Sequence, residues 1–240
     1  MRIRTTSRQA AGTRPWARRR AILAGGLVLG LGATMTMAAW TDEVHVFGEF
    51  GTGDHLVQFQ GNTTSPLDPN AWHDYHGTQN PARGELAFGV DAGDLAPGDV
   101  IYAPISLRTV TDSDAFDVTL RSEEPDTTGW DATDQVLYEN LVYRVAQVAG
   151  PTSCDASGFA AAITGGGAVS GLGSDAPIDT DSGTNAINLP AGSGGNPGQT
   201  KTYCFEVKLD PDATLDELTA LQTGAATANW VFEGTAVEAS

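Results

Sequence analysis

The chain has 240 residues, of which 13 are basic and 30 acidic, giving a formal net charge of −17 with a hydrophobic share of 40%. Seven of the basic residues, Arg2, Arg4, Arg8, Arg14, Arg18, Arg19 and Arg20, precede the first acid, so residues 39–240 keep six basic residues against thirty acids, a net charge of −24. A field of that sign repels the phosphates of nucleic acid and anionic membrane surfaces, and it favours solubility, loosely held cations or a cationic partner.

The basic head is followed by an uncharged apolar run, residues 21–39. This is the pattern of an export signal: the positive end stays in the cytoplasm while the apolar stretch enters the bilayer. Small side chains at Thr36 and Ala38 fit a signal peptidase, which places the cut between Ala38 and Ala39. The expected organisation is a signal peptide over residues 1–38 and a single domain over residues 39–240. An uncleaved anchor is the competing reading, since the run is near the minimum length that spans hydrocarbon. Gly25, Gly26, Gly30 and Gly32 weaken it as a permanent helix. Arg19-Arg20 also resembles a twin-arginine signal, without a Ser or Thr just before the pair or a Lys after the apolar core. The peptidase is then a partner during export, the membrane is met only before cleavage, and the destination is extracellular.

Past the cut, Trp40, Val44 and Val46 alternate with Thr41, Glu43 and His45, the period of a strand. Residues 61–83 are rich in Asn, Pro and His and read as a loop. Strands are predicted over residues 85–90, 99–110 and 115–122, where β-branched and aromatic residues lie between Gly, Pro and Asp. In the third, Phe116, Val118 and Leu120 share one face. Pro104 marks the second as an edge strand or a bulged one. Residues 136–148 alternate as a strand covered on both sides, residues 164–200 read as a long Gly-rich loop, and residues 202–209 put Tyr203, Phe205, Val207 and Leu209 on one face. One helix is predicted over residues 210–224, with Asp210 as cap, Pro211 in the first turn, Leu215, Leu218 and Leu221 on one face and Gly224 at the stop. Trp230 and Phe232 form a last inward pair. Short strands bury such faces only by pairing in two layers, so the expected fold is an all-β sandwich with one short helix and a long Gly-rich loop.

Cys154 and Cys204 are the two cysteines. In an exported chain they are expected to form a disulfide, and no C-x-x-C or histidine spacing supports a redox or metal-binding pair. Other chemical candidates are weak. His73 and His76 stand three apart in a Pro- and Asn-rich loop, where that spacing does not fix ligand geometry, and no H-E-x-x-H occurs. Residues 179–183 (DTDSG) open like a calcium loop, but position twelve from Asp179 is Pro190 where a bidentate Glu belongs, so at most weak calcium binding is expected. No cofactor is expected. Asn62-Thr63-Thr64 fits a glycosylation sequon, a match common by chance. Nucleophile elbows, phosphate loops and paired catalytic carboxylates are not recognisable.

The junction "TMAAWTDE" after its apolar leader resembles the cleavage region of bacterial secreted proteins that depend on the signal peptidase SipW, the camelysin and TasA family. There a small-x-Ala site is followed closely by an aromatic residue and a Ser/Thr-Asp pair, here Trp40, Thr41 and Asp42. "DLAPGDVIYAPISLRT" (residues 94–109) is similar to that family's Leu-x-Pro-Gly-Asp turn opening a strand, and "YCFEVKL" and "ANWVFEG" look like its later strands. The resemblance implies a jelly-roll-like β-sandwich and a structural role in an extracellular matrix or at the cell surface. It also implies self-association into fibres. The alternation after the cut gives a route to it: a freed N-terminal strand with Trp40, Val44 and Val46 on one side is expected to add to a sheet edge. The camelysin-like metalloprotease reading transfers no zinc motif to this chain. The cysteine pair and the Gly-rich loop depart from the fibre protein, and a monomeric secreted or wall-associated binding module is the alternative. The cut is checked by sequencing the N-terminus of exported protein: Ala39 is expected first, whereas a chain still carrying its arginines would remove the cleavage assignment.

Overall fold

The computed structural model describes residues 41–44, 58–75, 83–89, 95–210 and 224–237. The elements, in chain order, are β1 (Thr41–Val44), β2 (Phe59–Asn62), β3 (Val100–Thr109), β4 (Ala115–Glu123), α1 (Ala132–Glu139), β5 (Leu141–Val148), a 3-10 turn (Pro151–Ser153), α2 (Ala156–Thr164), β6 (Ala176–Pro177), β7 (Ile187–Leu189), β8 (Lys201–Leu209) and β9 (Asn229–Val237). The period-two pattern decides which faces turn inward. Phe116, Val118 and Leu120 of β4 are fully buried while the residues between them are not, and Tyr203, Phe205, Val207 and Leu209 of β8 are buried likewise. Phe205 meets Phe232 of β9 across the sandwich with ring centroids 6.4 Å apart, and Phe59 of β2 meets Phe116 of β4 at 5.2 Å.

The strands form a four-stranded sheet in the order β1-β9-β4-β7 and a five-stranded sheet in the order β2-β3-β8-β5-β6, all neighbours antiparallel. With β2 set aside as an extra strand on the flank of β3, the order 1-9-4-7 over 3-8-5-6 is the interleaving of a jelly roll, in which the last strand returns beside the first. The expected all-β sandwich is therefore present, with jelly-roll topology.

A second, smaller core covers the outer face of the five-stranded sheet. Asp155 caps α2 by accepting from the Gly158 amide at 2.8 Å, and Phe159 then packs with Ala146, Val148 and Cys204. Glu206, only 4% exposed, accepts from Arg144 Nε at 2.8 Å and from the Tyr102 hydroxyl at 3.0 Å. Arg144 also reaches Asp175 at 3.3 Å, and Lys208 closes on the same carboxylate at 2.5 Å. A buried carboxylate with these partners is a structural charge, whose loss would leave Arg144 with Asp175 alone.

Several sequence expectations are corrected. Residues 136–148 are two elements: Asp131 accepts from the amides of Thr133 and Asp134, while Asp134 accepts from the Asp131 amide, and this capping box starts α1. The strand begins at Leu141. Residues 84–89 form no ladder, although Leu86 and Phe88 pack against the main core; Val90 lies outside the described residues. β3 is internal, yet β2 covers it only from Ser106 to Thr109, so the chain is locally an edge at Pro104 and the missing amide hydrogen costs nothing on that side. Gly61 and Asn62 belong to β2. The segment 164–200 is folded, supplying Val169, Leu172, Ala176, Ile178, Ile187 and Leu189 to the core and both short strands β6 and β7. A second helix, α2, stands where none was expected. The helix predicted over residues 210–224 falls, apart from its two ends, outside the described residues.

Cys154 and Cys204 are joined, with Cα atoms 5.2 Å apart and a separation of 50 positions in sequence. The bridge fixes the 3-10 turn and the root of α2 onto β8. Closing a loop of this length stabilises a fold by up to about 4 kcal/mol on the chain-entropy account. Replacing both cysteines by Ala is expected to lower unfolding free energy by about 2–4 kcal/mol in denaturant titration; an unchanged midpoint would show that the bridge constrains nothing the core does not already hold.

Candidate assembly edge and inter-sheet cleft

A β-sandwich has four sheet edges, each a row of backbone groups open to another strand unless blunted. Three are blunted here. The free side of β2 is taken by the loop that follows it: Gly61 and His73 exchange amide-to-carbonyl bonds of 2.9 and 3.0 Å. Tyr75, at a left-handed φ of 49°, locks that loop, its ring set so close that a Cβ on Gly84 would lie 2.9 Å from it and one on Gly61 3.0 Å. β6 is two residues long and ends in Pro177, and β7 is three residues long and runs into Pro190. The fourth edge is β1 on β9. Among the described residues it carries no proline and no covering loop.

β1 meets β9 in the register Thr41 with Thr235, Asp42 with Gly234, Glu43 with Glu233 and Val44 with Phe232. β9 itself runs from Asn229 to Val237 and pairs with β4 over that whole length. Among the described residues, β1 thus pairs with four of the nine β9 residues. Beneath β9 lies an aromatic wedge: Trp230 stands 5.0 Å from Phe205 and 5.6 Å from Tyr143, ring centre to ring centre. On the outer face Arg121 of β4 donates from Nε to Glu233 and reaches Asp181 at 3.4 Å.

A cleft of about 550 Å³ opens between the sheets beside this wedge, walled by Leu86, Phe88, Ile101, Phe205, Trp230 and Phe232 among others, with Arg83, Glu85 and Glu123 at its margin. Arg83 also donates to the Asn229 side chain at 3.2 Å, tying the margin to the start of β9.

The site residues read from the sequence fare unequally. Cys154 and Cys204 are bonded. Val44 stands across from Phe232 in the ladder, whereas Thr36, Ala38, Ala39, Trp40 and Val46 lie outside the described residues. His73 is spent on the β2 edge, its ring 5.5 Å from Tyr75, and His76 is not described. The calcium-like segment pins a loop to β4: Asp181 accepts from the Ser122 amide at 2.9 Å, and Ser182 exchanges bonds with Leu120. Asn62 of the sequon is 1% exposed, accepting from Thr64 and donating to the Asp68 carbonyl at 2.7 Å, so its amide is not presented for glycosylation. Among the described residues no three His, Cys, Asp or Glu side chains converge as a metal would require, and no helix is long and apolar enough to cross a membrane. The Arg121–Glu233–Asp181 link was not foreseen, because charges on an outer face are invisible until strand order is known.

Comparison with protein-family models finds no match, and neither does comparison with curated proteins.

Three tyrosines report on this architecture. Burial first, then the hydrogen bond to Glu206, pushes the Tyr102 phenol up to about 12. Tyr143, whose hydroxyl donates to the Thr180 carbonyl, and Tyr203 are pushed up further, chiefly by burial. A free tyrosine ionises near pH 10, so above that value the unfolded chain gives up protons that the folded chain retains, and stability falls as pH rises. Between pH 10 and 12 the phenolate absorbance of these three tyrosines is expected to appear together with loss of the β-sheet circular dichroism; Tyr102, Tyr143 and Tyr203 titrating near pH 10 in a chain that keeps its fold would contradict this packing.

Proposed function

We propose that this chain is an exported structural protein of the extracellular matrix or cell surface, and that copies of it join when β1 of one molecule adds to β9 of another. The observation that carries the reading is the distribution of edges: three are closed, and the fourth is made by the strand that follows the expected cleavage site. A strand that pairs with its own sheet edge makes the same backbone bonds on a neighbour's edge, so exchange needs no new interface chemistry. Residues 45–58, fourteen in number between β1 and β2, have a reach of at most about 45–50 Å, enough to pass from one sandwich to the next. Continued in the same register, an added strand would bring Val46 across from Trp230 and Trp40 across from Ala236. The resemblance of the junction to secreted camelysin and TasA proteins points the same way, as does the strongly acidic composition, which keeps the unassembled chain soluble.

A second reading is favoured by the in-chain β1–β9 ladder itself: an acidic monomer whose first strand closes its own sandwich. Electron micrographs and sedimentation of concentrated exported protein separate the two. Assemblies are expected from the intact protein and their loss when residues 39–46 are deleted; a strictly monodisperse globule at every concentration would leave the monomeric module.

A further inference from the structure

The outer face of the five-stranded sheet carries a polar cluster at its β2 end, six positions along β3 from Tyr102 and so about 20 Å from the Glu206 network. Gln60 stands across from Arg108 in the β2–β3 ladder, and their neighbours Phe59, Leu107 and Thr109 are buried, so these two side chains turn outward. The loop that closes β2 lays Trp72 against them, with Arg108 Cζ 4.0 Å from the centre of the ring. Arg108 Nη2 donates to Gln60 Oε1 at 3.3 Å, and Gln60 Nε2 donates to Asp74 Oδ1 at 3.1 Å. The guanidinium is left incomplete. Its Nε is buried without a hydrogen-bond partner, and among the described residues Nη1 makes no hydrogen bond and is not sealed from solvent. Arg121, Arg144 and Lys208 each rest on a carboxylate, yet among the described residues none lies within ion-pair distance of Arg108, in a domain with thirty acids to six bases. Burial lowers the Arg108 pKa from its ordinary value, so the cation is held where its charge is poorly solvated.

We propose that Arg108, stacked on Trp72, is a binding site for a small monocarboxylate, an organic acid whose two oxygens take the outer edge of the guanidinium. An arginine laid on an indole has a fixed plane, and its free Nη edge matches the fork of a carboxylate. Trp72 holds that plane and Gln60 fixes its rotation, so the site is formed before the ligand arrives. That the ligand carries a single acid group follows from the field of the domain. A net charge of −24 repels a polyanion, whereas one carboxylate brought against Arg108 meets a cation that no described acid neutralises. The site lies on the sheet that does not carry β1, and it is independent of strand exchange.

Nitrogen-15 NMR of the protein labelled at Arg and Trp tests this, with sodium acetate as the probe against sodium chloride of equal ionic strength and against acetamide, the neutral isostere. The reporters are the buried Arg108 Nε–H and the Trp72 indole N–H. Both are expected to shift saturably with acetate, with the half-point in the millimolar range, and to ignore chloride and acetamide. The Arg144 Nε–H, already bonded to Glu206, should stay still throughout. Trp72→Leu should weaken the acetate response at Arg108 about 2- to 5-fold through loss of the cation–π contact, and Arg108→Gln should abolish the response at Trp72. No response in the native protein, reporters that follow chloride or acetamide as they follow acetate, or a response undiminished by either substitution would overturn the site and leave the pair as a clamp on the loop after β2. Shifts that appear on concentrating the protein without acetate would assign the carboxylate to a second copy and overturn the free organic acid.

Discussion

β9 is gripped on one flank and only touched on the other. β4 pairs with it from Asn229 to Val237, and from below Trp230 and Phe232 drive into Phe205 and Tyr143. Burial of such aromatic side chains is worth several kcal/mol each, so β9 keeps its place whatever lies on its outer side. Among the described residues β1 contributes a ladder over Phe232 to Thr235. The asymmetry follows from the jelly roll, which returns the last strand beside the first and leaves the first at the border. The remaining features of the molecule work around it. The other borders are closed by a loop locked under Tyr75 and by prolines at the ends of two very short strands, which is how sheet proteins avoid indiscriminate pairing.

Stability and border chemistry are carried by different parts of the sequence. The disulfide, the Tyr102–Glu206–Arg144 network and α2 consolidate the outer face of the five-stranded sheet. The β1 border belongs to the four-stranded sheet, where the charges are exposed and the ladder is brief. On the outer face of that sheet Arg121 of β4 joins Glu233 of β9 to Asp181. Changes at β1 can therefore alter pairing without unfolding the domain.

Much of the fold was legible in the sequence, and the failures have physical causes. Alternating strands announced themselves: Phe116, Val118 and Leu120 turn inward in β4, as do Tyr203, Phe205, Val207 and Leu209 in β8, whose other face is covered by α2. Residues 164–200 misled because their apolar residues are sparse and lack a period. Val169, Leu172, Ile178 and Ile187 plug separate gaps in the core, and such packing leaves no repeat in the sequence. Residues 136–139 (VLYE) run straight into the alternating strand at Leu141 and so hid a helix that only the Asp131–Asp134 capping box gives away. Pro104 pointed to an edge and was right only locally. At the candidate site Trp230 and Phe232 were readable as an inward pair, and the cysteine pairing followed from there being two. That β1 borders β9, and in what register, was not readable, since it depends on which strands adjoin.

The account turns on whether β1 of one molecule can occupy β9 of another. The most direct measurement mixes two versions of the protein, one with Thr41→Cys and the other with Thr235→Cys, and oxidises the mixture after concentration, since these positions face each other in the ladder. A disulfide-linked dimer joining the two versions, found in the assembled fraction, is the result expected. Assemblies that form without that cross-link, or a mixture that yields none at any concentration, would contradict strand exchange.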